Sequence, residues 1–188
     1  MKKNIKSQFM LLALVALPLF FMGQKTVHTT FPDMPIDENT KLVTYKEVVN
    51  MSGTPDILFE RALKWANKHY ANPSGVIRVK DKEKGIVECV SNISIYTLTS
   101  DGKSRVSAGN VYYTLTIEAR DNRYRYTITN FYKKEQAQFP IERWFDTARP
   151  EWSANRYDHL HQIDEAVRKL MESIEEGMQP EKVIVDEW

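Results

Sequence analysis

Residues 112–129 read YYTLTIEARDNRYRYTIT, and their alternation decides the architecture. Tyr113, Leu115, Ile117 and Ala119 fall on one side of an extended chain, with Tyr112, Thr114, Thr116, Glu118 and Arg120 on the other. After Asp121-Asn122 the pattern resumes, Tyr124, Tyr126 and Ile128 against Arg123, Arg125, Thr127 and Thr129. Successive side chains of a strand point to opposite faces, so each strand has one dry face and one wet face. A two-residue turn at Asp121-Asn122 sets Glu118 opposite Arg125, Thr116 opposite Thr127 and Thr114 opposite Thr129. Opposite charges and Thr pairs suit a solvated antiparallel face, each contributing about 0.2–1 kcal/mol. Arg120 opposite Arg123 is repulsive, and the register predicts a flare at that end.

Upstream, Leu42 to Asn50 (LVTYKEVVN) reads as a strand ended by Ser52-Gly53. The period then changes. Thr54 is a helix cap, Pro55 suits the first helical position, and Leu58, Ala62, Trp65, Ala66 and His69 share one helical face until Asn72-Pro73 stops it. Val76 to Asp81, with Ile77 and Val79 on one side, reads as a short strand. Ile86 to Leu98 reads as a long one, with Val87, Cys89, Ile93 and Ile95 on its apolar face. Ser100 to Gly109 reads as a loop.

Downstream, Lys133 to Arg156 loses all periodicity and holds Phe139, Trp144, Phe145 and Trp152 among Pro140 and Pro150, with one short helix expected over 141–148. Leu160, Ile163, Val167, Leu170 and Ile174 then recur at helical spacing, closed by Gly177 and followed by Pro180. The order strand, helix, four strands, long helix predicts an α+β domain, a curved antiparallel sheet of five strands with two helices packed on one face. The other face is left open to water or to a partner.

These segments resemble a family of exported bacterial domains of unknown function with a TATA-binding-protein-like (TBP-like) fold. The resemblance is carried by Met34-Pro35-Ile36-Asp37, by Val43 to Val49, by the helix from Leu58 to Trp65 and by the hairpin from Tyr113 to Tyr132, and it covers roughly Pro35 to Lys134. It implies a TBP-like β-α-β(4)-α fold and an extracytoplasmic setting, and it brings no catalytic residues.

Composition agrees with one folded domain, since 42% hydrophobic residues supply a core and seven Gly and eight Pro are too few for a linker array. Lys2, Lys3 and Lys6 precede an apolar run from Phe9 to Met22 that reaches Gly23. This predicts a secretory signal peptide over 1–23, cleaved near Gly23, because the run is short of the roughly 18 residues that span a membrane. The expected organisation is then an extended lead-in over 24–40, a single domain over 41–178 with an aromatic-rich connection at 133–156, and a tail over 179–188. The expected location is the periplasm, cell envelope or exterior, with no transmembrane segment in the mature chain.

Removing 1–23 takes three Lys from the 26 basic side chains and none from the 25 acidic ones, which moves the formal net charge from +1 to -2. Nucleic-acid binders draw affinity from an excess of Lys and Arg, so nucleic acid is excluded as a partner. Cys89 is the single cysteine and reads as a small buried hydrophobe.

Asp158, His159, His161, Asp164 and Glu165 are the densest set of potential ligands or acid/base groups, but His159 and His161 lie about 200° apart on a helix and cannot converge. They read as a solvated first turn. No nucleophile elbow, phosphate loop, dinucleotide fingerprint or zinc-protease motif is present, so no catalytic, cofactor or metal residues are assigned and no cofactor is expected.

What is left is binding. The candidate surface is Thr114, Thr116, Glu118, Arg125 and Thr127 on the open sheet face, together with Trp144, Phe145 and Trp152 of the connection. The expected function is a non-catalytic envelope module that binds a protein or glycan. A second reading is a small apolar ligand between the sheet and the long helix, oriented by Tyr113, Tyr124 and Tyr126. A third is a hydrolase in which His159 or His161 meets carboxylates from another segment.

Overall fold

The structure is a computed structural model that describes residues 28–180. The signal peptide, the first residues of the lead-in and most of the tail, Val183-Ile184-Val185 included, lie outside the described residues. In chain order the elements are β1 (Tyr45–Asn50), α1 (Pro55–His69), the single turn α2 (Pro73–Val76), β2 (Ile77–Asp81), β3 (Ile86–Leu98), β4 (Arg105–Arg120), β5 (Arg123–Lys134), β6 (Gln138–Pro140), a 3₁₀ turn (Ile141–Phe145) and α3 (Asn155–Gly177). The sheet is antiparallel, ordered β1-β5-β4-β3-β2, with β6 continuing along the β5 edge that β1 occupies further down. The three long strands are thus interior and the short ones form the rims.

The hairpin register is the expected one: Glu118 faces Arg125, Thr116 faces Thr127 and Thr114 faces Thr129. Arg120 and Arg123 stay paired at the turn, where a flare was expected, because the ladder runs on to the last residue beside Asn122 in a left-handed conformation (φ 56°). Tyr113, Leu115, Ile117, Ala119, Tyr124, Tyr126 and Ile128 are all buried, beneath α1 and α3. Near the far end of β5 Asn130 adopts φ 54° in a register shift opposite Tyr112 to Thr114. This bulge reverses which parity points inward, so Phe131 enters the core while Tyr132 stacks on Tyr112 outside, ring centroids 5.4 Å apart.

α1 begins as its cap residue requires, with Thr54 Oγ1 accepting from Ile57 N at 3.3 Å. It packs on β3 and β4 and against α3, whose Leu160, Ile163, Val167, Leu170 and Ile174 form its buried stripe. α3 ends at Gly177 without a left-handed cap, and the glycine is there for space: a Cβ would stand 2.1 Å from Trp65 Cδ1. From residue 28 the lead-in is extended as far as a turn at 38–40, and it lays Met34 into the core and Phe31 against it.

Four sequence expectations are corrected. β4 begins at Arg105, within the expected loop, because β3 keeps pairing with it as far as Leu98. The 141–148 helix is a 3₁₀ turn of five residues. A sixth strand, β6, is too short for any periodicity to reveal. Val79 is 37% exposed while Ile77 is buried, since a register shift against β3 separates them. Among the described residues no helix is long and apolar enough to cross a membrane.

Candidate functional site

The eight candidate surface residues divide into two groups. Thr114, Thr116, Glu118, Arg125 and Thr127 lie on the uncovered sheet face, where Arg125 Nε donates to Glu118 Oε2 at 2.8 Å and Nη2 reaches the same oxygen. Arg125 is exposed and its neighbours are half-buried. Glu118 and Arg125 satisfy one another across the strands, and beside them lies a hollow of about 220 Å³ bounded by Val48, Arg120 and Arg123.

Trp144 and Trp152 come together at the edge of the domain. Trp152 Nε1 donates to the Trp144 carbonyl at 2.9 Å and its ring meets Tyr157 edge-on, so the indole is held in place while half-exposed. Trp144 is buried on one side and carries the Arg156 guanidinium on the other, 4.2 Å above the ring centroid. Phe145 turns away to pack on Phe31, ring centroids 5.2 Å apart, and Phe31 in turn meets Tyr157.

Around Trp144 and Trp152 lies a groove of about 340 Å³ whose other walls are Lys133, Glu135, Phe139, Arg143, Arg149, Glu151 and Arg156. That volume is at the small end of ligand sites, which run from about 300 to 1,000 Å³. Lys133 Nζ pairs with Glu135 at 2.8 Å, Arg143 with Glu151 at 3.1 Å, and Arg149 with Asp146 at 3.2 Å. Arg143 also sits over Phe139. The tight turns set by Pro140 and Pro150 fold this aperiodic stretch back on itself, so that side chains far apart in sequence converge.

Sequence reasoning found Trp144 and Trp152 and missed Lys133, Phe139, Arg143, Arg149 and Arg156 as a set. Their signal was present as basic residues interleaved with aromatics over 133–156, hidden because the whole chain is nearly neutral.

His159 lies behind the groove. It is 5% exposed, not in a solvated turn as expected, because α3 begins at Asn155 and turns this residue inward. Its Nε2 is 2.8 Å from Thr97 Oγ1, and burial, with Arg156 and Lys133 nearby, pulls its pKa down to about 4. His161 points elsewhere, stacked on His28 at 3.6 Å with Nε2 3.0 Å from the Thr30 carbonyl. Nothing brings the two histidines to one centre. Cys89 is buried, and burial pushes its thiol up to about 12.

The space between the sheet and α3 is filled. Tyr124, Tyr126, Leu115, Ile128, Leu160, Ile163 and Ile174 are each 0% exposed, which leaves no room beside them for even a water molecule. Tyr113 Oη lies 3.4 Å from Tyr70 Oη and Tyr126 Oη is taken by carboxylates, so these tyrosines are not free to orient a guest.

Among solved structures the fold is similar to a TBP-like protein from Parabacteroides distasonis, with a TM-score of 0.61 and 15% identity, covering 79% of this chain and 99% of that one. It is also similar to a DUF4468 family protein from Bacteroides ovatus, with a TM-score of 0.60 and 12% identity, covering 80% of this chain and 92% of that one. At these identities the likeness concerns the fold alone. No curated protein matches the chain. Residues 45–134, from β1 to the end of β5, match the family described as a domain of unknown function (DUF4468) with TBP-like fold. Of the groove residues only Lys133 falls inside the matched segment.

Proposed function

We propose that this chain, whose residues 45–134 match the DUF4468 family with TBP-like fold, is an exported, non-catalytic module of the bacterial envelope that binds a glycan in the Trp144/Trp152 groove. The single observation that carries the reading is the groove itself: a fixed, half-exposed indole facing guanidinium groups in a concavity of ligand size. Aromatic surface of this kind gives large contact at small entropic cost. Export is supported by the Lys2-Lys3-Lys6 and Phe9–Met22 pattern. The open sheet face is a weaker candidate, because its Thr row and Glu118–Arg125 pair are explained by strand pairing.

Intrinsic tryptophan fluorescence of the purified chain, titrated with soluble envelope carbohydrate, tests the site. Trp152→Ala should weaken the response at least tenfold, and Thr116→Arg on the sheet face should leave it unchanged. The reverse pattern moves the site to the sheet. Export is tested separately by fusing residues 1–30 to a reporter active only outside the cytoplasm: activity should be lost in Leu14→Arg, which interrupts the apolar run.

A further inference from the structure

The groove gathers four cations, Lys133, Arg143, Arg149 and Arg156, against three carboxylates, Glu135 and Glu151 in its walls and Asp146 paired with Arg149, which leaves one positive charge in excess. The cations differ in their partners. Lys133, Arg143 and Arg149 each have a carboxylate at 2.8 to 3.2 Å. Arg156 has none within 4 Å among the described residues, and it is half-buried over Trp144. A guanidinium over a ring face uses its π surface there and none of its five N–H donors, which stay available as a planar fork matched to a carboxylate.

We infer, on the footing of the groove reading above, that the ligand is an acidic saccharide whose carboxylate is received by Arg156 and whose ring lies against Trp152. Three observations converge on this. A half-buried cation with no carboxylate in direct contact is costly, and a bound anion supplies one; in keeping with this, burial lowers the guanidinium pKa of Arg156, with Glu135 and Glu151 opposing from beyond contact distance. Arg156 and Lys133 also add to burial, the larger cause, in disfavouring a proton on His159 behind them, with Asp158 opposing. Finally, one unpaired guanidinium beside one open indole matches a ligand with one negative charge per ring. A bare inorganic anion would leave Trp152 and Phe139 uncovered. An extended acidic peptide would call for several free cations in a row, and the others here are already paired.

The experiment titrates the purified full chain with a defined oligogalacturonate, its methyl ester, neutral maltohexaose and oligothymidylate of similar length. The expected result is binding of the oligogalacturonate, at least tenfold weaker for the methyl ester, with Arg156→Gln losing at least tenfold and Arg156→Lys retaining part of it. Raising NaCl from about 50 to 500 mM should weaken the wild type several-fold, an arm that holds even if Arg156→Gln fails to fold. Equal binding of acid and ester, tighter binding of oligothymidylate, or no binding of any probe overturns the inference. Maltohexaose binding that Trp152→Ala abolishes and Arg156→Gln spares overturns the acidic ligand while leaving the groove reading in place.

Discussion

Glu47 and Glu175 meet on one hydroxyl: Tyr126 Oη lies 2.9 Å from Glu47 Oε2 and 2.8 Å from Glu175 Oε1. Glu47 stands directly across from Tyr126 in the sheet, and α3 brings Glu175 down from above. A phenol has a single hydrogen, so when both carboxylates are ionised it satisfies one and faces the other with a lone pair. Replacing either by its amide supplies an N–H for that lone pair and removes a like charge. Glu47→Gln and Glu175→Gln should each raise stability by about 0.5–1.5 kcal/mol at neutral pH, measured by urea unfolding. A loss of stability in both variants would show that the two carboxylates are not in competition.

Tyr124 Oη, beside the same pair, is buried without a hydrogen-bond partner. Tyr124→Phe removes an unsatisfied hydroxyl and keeps the ring, so thermal unfolding should show no loss and a gain of up to about 1 kcal/mol. Tyr126→Phe should instead cost about 1–2 kcal/mol.

Gly177 and Trp65 are in close packing, and the indole is fixed by its Nε1 contact to Ser173 Oγ at 3.2 Å. Gly177→Ala places a methyl group where the ring stands. Despite the better helix propensity of Ala, the variant should lose about 1–2 kcal/mol and shift the Trp65 fluorescence.

His159 has its folded pKa lowered from 6.5 to about 4, by burial first and then by Arg156 and Lys133, with Asp158 opposing. Below pH 6.5 the unfolded chain takes up a proton that folded His159 refuses until about pH 4. Its contribution is therefore whole above pH 6.5 and is lost as pH falls through that window, a change on the order of 3 kcal/mol. Urea unfolding across pH 4–7 should show a shallower acid slope in His159→Gln. Some slope will persist from His69, whose pKa burial lowers in the same direction.

Cys89, with its thiol pushed up to about 12 inside β3, should not react with a disulfide reagent at pH 8 in the native protein and should react stoichiometrically in urea.

The sheet and both long helices were legible because alternation and helical spacing are local signals that burial enforces residue by residue. Tyr113 to Ile128 could be oriented from sequence alone, and the Thr114/Thr116/Thr127/Thr129 row faces outward as that reading required. The groove was only half legible. Trp144 and Trp152 stood out by type, but Arg156 acquires its meaning from a ring twelve positions earlier, and Lys133 from the strand before that. Contacts made across an irregular connection leave no period to read. The same holds for His159, whose inward turn depends on where α3 starts, and for the Asn130 bulge, which a uniform alternation conceals.

The placement of short strands at both rims bears on how such a molecule behaves in a crowd. Exposed backbone along an edge is a template on which neighbours can add and polymerise, and the rim segments of six and five residues place Lys46, Glu47, Arg78 and Lys80 there. Dense packing of many copies would meet charge and curvature at each seam, so any self-assembly would have to proceed through side chains, with the hydrogen-bonding edges kept out of it.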